Sequence, residues 1–80
     1  MTIKEAILDS LCDDYESLTQ IYNYLVYLGI KTDISEIKNK IEELIIEGLI
    51  FIEKSLSNEE DGEWYGMTTE GEKAWKNIIS

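Results

Sequence analysis

Carboxylates are the reactive groups this chain holds in quantity. Asp13-Asp14 and Glu42-Glu43 are adjacent pairs, and Glu59-Glu60-Asp61-Gly62-Glu63 is an acidic run. Two carboxylates divide acid and base work only when both reach one reacting group, and sequence neighbours on a helix do not face each other. Neither enzymatic activity nor a small-molecule substrate is therefore expected. The acidic run could offer oxygens to Ca²⁺, but the EF-hand spacing of ligands and glycine is absent, so a solvated loop is the expectation. Cys12 is the only cysteine and there is no histidine. That excludes an internal disulfide, leaves the thiol without a base to ionise it, and provides no His/Cys metal cluster. We expect Cys12 to be a packing residue in a reducing, cytoplasmic protein with no metal and no cofactor.

The elements that position these groups are legible from periodicity. Asp33 to Leu49 reads as one amphipathic helix: Ile34, Ile37, Ile41, Leu44 and Ile45 recur at steps of three and four and share one side. Asp33 with Glu36 has the spacing of a capping box, and Gly48 followed by Leu49 suits a Schellman end. Residues 2–12 read as an earlier helix, with Thr2 and Glu5 as a capping box and Ile3, Ile7, Leu8 and Leu11 as its stripe. Asp13 to Glu16 is an acidic connector. Ser17 with Gln20 opens a helix from Leu18 to Leu28, with Leu18, Ile21, Leu25 and Leu28 inward and Gly29 stopping it. Tyr22, Tyr24 and Tyr27 lie on its flanks, where they cover the core edge or face a partner.

Beyond Gly48 the period changes. Leu49 to Ile52 suits a strand, Lys54 to Glu63 a hairpin tip, and Trp64 to Met67 the returning strand. Thr69 with Glu72 is the expected cap of a last helix, in which Ala74, Trp75, Ile78 and Ile79 pair at i, i+4. Residues 1–80 make one domain of α+β class: three helices with a helix-turn-helix, a two-stranded β-wing, and a C-terminal helix.

Charge limits the partners. Seven lysines and no arginine stand against seventeen acids, a net −10. Such a surface is repelled by phosphate at long range, and it lacks the commonest bidentate reader of guanine. No apolar run approaches the ~20 residues of a membrane span. The first residues show neither a basic region nor a continuous apolar one, so neither a signal peptide nor membrane attachment is expected.

Two segments carry a resemblance over nearly all of the chain. I-E-E-L-I-I-E-G-L-I-F-I (41–52) looks like the end of a recognition helix leading through glycine into a wing. W-Y-G-M-T-T-E-G-E-K-A-W (64–75) is similar to an aromatic–hydrophobic–Thr-x-x-Gly exit from that wing. The chain thereby resembles the winged helix-turn-helix family of small bacterial transcriptional regulators. The resemblance implies a third helix in the DNA major groove and a wing near phosphates. On the helical wheel Glu36, Asn39 and Glu43 face most directly outward, Ser35, Lys40 and Glu42 flank them, and Lys38 lies nearer the core edge.

The DNA-contact residues so implied are Ser35, Lys38, Asn39 and Lys40, with Lys54 in the wing. Asn39 has the amide to read adenine, and Ser35 or Lys40 can take phosphate. Two readings follow. One is a DNA-binding regulator. The other is an acidic winged helix that binds protein or mimics nucleic acid, facing its partner with Glu36, Glu43, Glu59, Glu60 and Asp61. Between Glu53 and Glu63 five carboxylates stand against Lys54 alone, which opposes a wing–phosphate contact. Trp75, Ile78 and Ile79 are candidates for a homodimer seam.

Overall fold

The computed structural model describes residues 1–60 and 62–80. Its order is α1 (Ile3–Ser10), β1 (Glu16–Ser17), α2 (Leu18–Tyr27), α3 (Ile34–Ile46), β2 (Ile50–Ile52), β3 (Trp64–Met67) and α4 (Thr69–Ile79). The strands form one antiparallel sheet in the order β1-β3-β2.

Side chains start each helix where backbone acceptors are missing. Thr2 and Glu5 exchange hydrogen bonds at α1, as do Ser17 and Gln20 at α2, so both capping boxes form. At α3 only half of the box forms. Asp33 accepts from the Glu36 N–H at 2.8 Å, while the Glu36 carboxylate turns to the Thr32 hydroxyl at 2.7 Å. The α4 cap is Thr68 rather than Thr69: the Thr68 hydroxyl accepts from the Gly71 N–H at 3.0 Å and donates to the Gly48 carbonyl at 2.7 Å. That second bond, to the end of α3, selects between two adjacent threonines.

Both glycine stops have the expected geometry. Gly29 and Gly48 each sit at φ +78°. Ile30 N–H donates to Leu25 O and Leu49 N–H to Leu44 O, both at 3.0 Å, closing the Schellman turns. Gly71 answers to crowding instead. A Cβ there would stand 1.9 Å from the Leu49 carbonyl oxygen, so α4 packs on the chain leaving α3 only because residue 71 has no side chain. This gives the Thr-x-x-Gly motif its physical basis.

The core joins Ala6, Ile7, Leu8 and Leu11 of α1 and its C-terminal end to Ile21 and Leu25 of α2, Ile37, Ile41 and Leu44 of α3, and Ile50 and Tyr65 of the sheet. Helix α1 packs against all three other helices. Each fully buried isoleucine supplies roughly 1.5–3 kcal/mol of transfer free energy. Two residues read as inward are not: Leu28 is exposed at the end of α2, and Ile34 is 40% exposed in the first turn of α3. Both occupy helix ends, where the stripe runs past its neighbours. The acidic connector also differs from the expectation of a bare turn. Glu16 and Ser17 pair with Tyr65 and Trp64, adding a third strand to the wing sheet.

Candidate nucleic-acid interface

Helix α3 shows two unlike sides. Ile37, Ile41 and Leu44 are buried, and Ile45 is half-buried beside them. On the opposite side Ser35, Asn39 and Ile46 are exposed. They fall within ~40° of one another at ~100° per residue, and the exposed Glu42, only ~20° from Ser35, interrupts them with one carboxylate between Asn39 and Ile46. Ile46 is 85% exposed, the largest value among the exposed large apolar residues. It is a contributor that reasoning from the stripe passed over. The signal was present, because Ile45-Ile46 are adjacent and cannot both face inward.

The charges beside these residues are sorted by α1. Lys4 lies 3.2 Å from Glu43 and 2.9 Å from Glu47. Lys40 adds a second contact to Glu43 at 3.4 Å. The hydrogen bond from Lys4 leads the effects that hold the Glu43 carboxyl below its ordinary range. Its bonds to Glu47 and then Glu43 raise the Lys4 ammonium. Glu43 is therefore drawn toward α1 rather than standing most directly outward, and Lys40 is engaged with it. The positions of the two helix lysines also exchange relative to expectation: Lys38 is exposed and Lys40 half-buried.

Lys38 lines a cleft of about 400 Å³ between α3 and the wing, with Leu18, Glu42, Gly62, Glu63 and Tyr65. The Tyr65 hydroxyl donates to Glu63 at 3.1 Å. Burial, followed by the charge of Glu63, pushes the Tyr65 phenol up to about 12. Among the described residues Lys31, Lys38 and Lys54 make no ion pair, whereas Lys4, Lys40, Lys73 and Lys76 do.

The wing is a hairpin closed by reciprocal backbone bonds between Asn58 and Gly62 at 2.8 and 3.0 Å. Glu53 turns inward to accept from the Ser55 N–H and hydroxyl at 3.2 and 2.8 Å. Glu59, Glu60 and Lys54 are exposed. Asp61, expected on the same acidic surface, lies outside the described residues. In α4 Trp75 and Ile78 are half-buried and Ile79 is 54% exposed. The Trp75 indole N–H donates to Asp9 at 2.9 Å, so this ring is already engaged within the chain.

Cys12 is partly buried and free. It lines a shallow cleft of about 320 Å³ with Asp13, Asp14, Tyr15 and Glu72. Burial first, then the charge of Asp13, raises its thiol above the ordinary value, the reverse of what a nucleophile needs. Among the described residues no three His, Cys, Asp or Glu side chains are placed to hold a metal ion.

A helix-turn-helix whose third helix runs through glycine into a hairpin, returning through Thr-x-x-Gly to a last helix, is a winged helix. Bacillus subtilis PadR, solved in complex with operator DNA, matches the fold with a TM-score of 0.82 at 21% identity over 98% of this chain and 46% of its own. Bordetella bronchiseptica BpsR, studied for regulation of its DNA binding by 6-hydroxynicotinic acid, matches with a TM-score of 0.77 at 16% identity over 99% of this chain and 53% of its own. The present chain thus spans about half the length of each. No family model and no curated protein matches it in sequence.

Proposed function

We propose that this chain is the DNA-binding domain of a transcriptional regulator, with α3 entering the major groove. The observation that carries this reading is the arrangement of charge around α3. Lys4 draws Glu43 and Glu47 back toward α1, and Ser35, Asn39 and Ile46 are left outward with Glu42 as the one carboxylate among them and Lys38 beyond it. Asn39 faces the bases, Ser35 and Lys38 serve phosphates, and Lys54 contacts the backbone from the wing. Lys40 contributes less, because Glu43 already holds it. The fold shared with PadR, a protein solved on its operator, supports the reading by analogy. We place the protein in the cytoplasm, in keeping with the absence among the described residues of a helix long and apolar enough to cross a membrane. Ile79, with Ile78 and the rim of Trp75, is our candidate contact between two copies. We assign no enzymatic role.

The test is binding to random-sequence duplex across a salt series. Log affinity should fall against log salt by ~0.9 for each phosphate contacted. Absence of binding at about 50 mM salt, a concentration at which phosphate contacts are still strong, would overturn the reading.

A second reading is favoured by the wing. Glu59 and Glu60 are exposed and make no ion pair among the described residues. In that reading these acids, with Asp61, Glu36 and Glu43, meet a basic protein. It predicts a protein partner that is lost when Glu59 and Glu60 are reversed to lysine, and no affinity for duplex.

A further inference from the structure

The count of available cations limits how this domain could hold DNA. Of seven lysines, four are in ion pairs with the chain's own carboxylates, and among the described residues Lys31, Lys38 and Lys54 make none. Three cations neutralise about three phosphates, a salt slope of only ~2.7 per chain. Phosphate contacts carry no sequence information, so selectivity comes from base edges, and the exposed side of α3 has few groups suited to them. Glu36 and Glu43 border this side and Glu42 stands within it, and each would be repelled by the phosphates of a groove wall. Ser35, Asn39 and Ile46 are the uncharged exposed groups on this side.

Their chemistry differs in a useful way. The Asn39 amide matches the paired acceptor and donor that adenine presents in the major groove. Ile46 has no hydrogen-bonding group, and the apolar feature a major groove offers is the thymine methyl. The two residues are seven apart, ~10.5 Å along the helix axis at ~1.5 Å per residue. With base pairs stacked ~3.4 Å apart, that distance spans about three steps. Ser35 lies ~6 Å further toward the helix start. At the helix start its hydroxyl can reach a base edge or a phosphate.

We propose that α3 reads an adenine through Asn39 and a thymine methyl through Ile46, about three base pairs apart, and that these contacts rather than phosphate neutralisation set its sequence selectivity. The proposal rests on the DNA-binding reading above and specifies what that surface recognises.

The experiment selects duplexes from a random pool with the full chain at about 50 mM salt, then compares each selected thymine with deoxyuridine, which lacks only the methyl group. Wild type should weaken about fourfold at one position on losing that methyl, the equivalent of one buried carbon. Ile46→Ala should be indifferent to the same exchange. Asn39→Ala should lose at least about fivefold of the preference for adenine roughly three pairs away. Both side chains are exposed, so thermal melting should show both variants folded. If duplexes are bound but wild type treats thymine and deoxyuridine alike at every position, this proposal is overturned while DNA binding stands. Enrichment of no duplex at all would remove both.

Discussion

The indole nitrogen of Trp75 donates to Oδ1 of Asp9 at 2.9 Å, joining residues 66 positions apart. Oδ2 of the same carboxylate receives the Tyr24 hydroxyl, so one side chain of α1 ties down α2 and α4 together. Replacing Asp9 with alanine would strand two partly buried donors. The expected loss is about 1–3 kcal/mol, which at ~4–8 °C per kcal/mol for a domain of this size is readily seen in a melting curve. Tryptophan fluorescence, from Trp64 and Trp75 together, should report the same transition as helical signal. A melting temperature unchanged in Asp9→Ala would show that the shared carboxylate does not hold the helices.

Two glycine substitutions separate backbone conformation from crowding. Helix propensity alone would make Gly71→Ala a gain of about 1 kcal/mol. The clash with the Leu49 carbonyl should dominate and reverse the sign, costing about 3 kcal/mol or more. Gly48→Ala meets nothing within 4 Å, and its cost is only that of a left-handed residue, ~1–2 kcal/mol. Urea midpoints should therefore rank wild type above Gly48→Ala above Gly71→Ala. The opposite order of the two variants would refute the packing described for α4.

The phenols of Tyr24 and Tyr65 are both pushed up to about 12. For Tyr24 the leading cause is the hydrogen bond to Asp9, and for Tyr65 it is burial. A folded-state value above the free value means that folding favours the protonated phenol. This contribution is complete below the free-tyrosine value of ~10 and is lost as pH climbs through the folded one. Unfolding between about pH 10 and 12 should accompany a late rise in tyrosinate absorbance. That late amplitude should shrink in Tyr24→Phe and in Tyr65→Phe, and unchanged amplitudes in both would contradict the assignment.

The two helix lysines should respond differently when DNA binding is measured against salt. Lys38→Ala should reduce the slope by ~0.9, the signature of one lost phosphate contact. Lys40→Ala should change it less, because Glu43 competes for that ammonium. Equal effects would mean that the Lys40–Glu43 pair opens on the duplex.

Much of this fold could be read from local chemistry. Thr2/Glu5, Ser17/Gln20, Gly29 and Gly48 are punctuation whose hydrogen bonds close within six residues, and all formed as their spacing implied. Ile37, Ile41 and Leu44 define a buried side of α3 through periodicity alone. Features that depend on distant partners were not legible. The two residues of β1 have too little length for alternation, and they become a strand only because Trp64 and Tyr65 lie alongside. Nothing near Glu43 foretells that Lys4, 39 positions earlier, will bridge it to Glu47. The outward charge of α3 was consequently overestimated from the wheel. Thr68 and Thr69 were indistinguishable as caps until the Gly48 carbonyl was placed beside one of them.

That placement has a mechanical meaning. The Thr68 oxygen closes the start of α4 and grips the last turn after α3. Its N–H meanwhile holds the Leu49 carbonyl at 3.1 Å. The first turn of α4 is thus anchored to the chain just after α3 rather than to the helix itself, so a displacement of Gly48 and Leu49 would be felt first at Thr68.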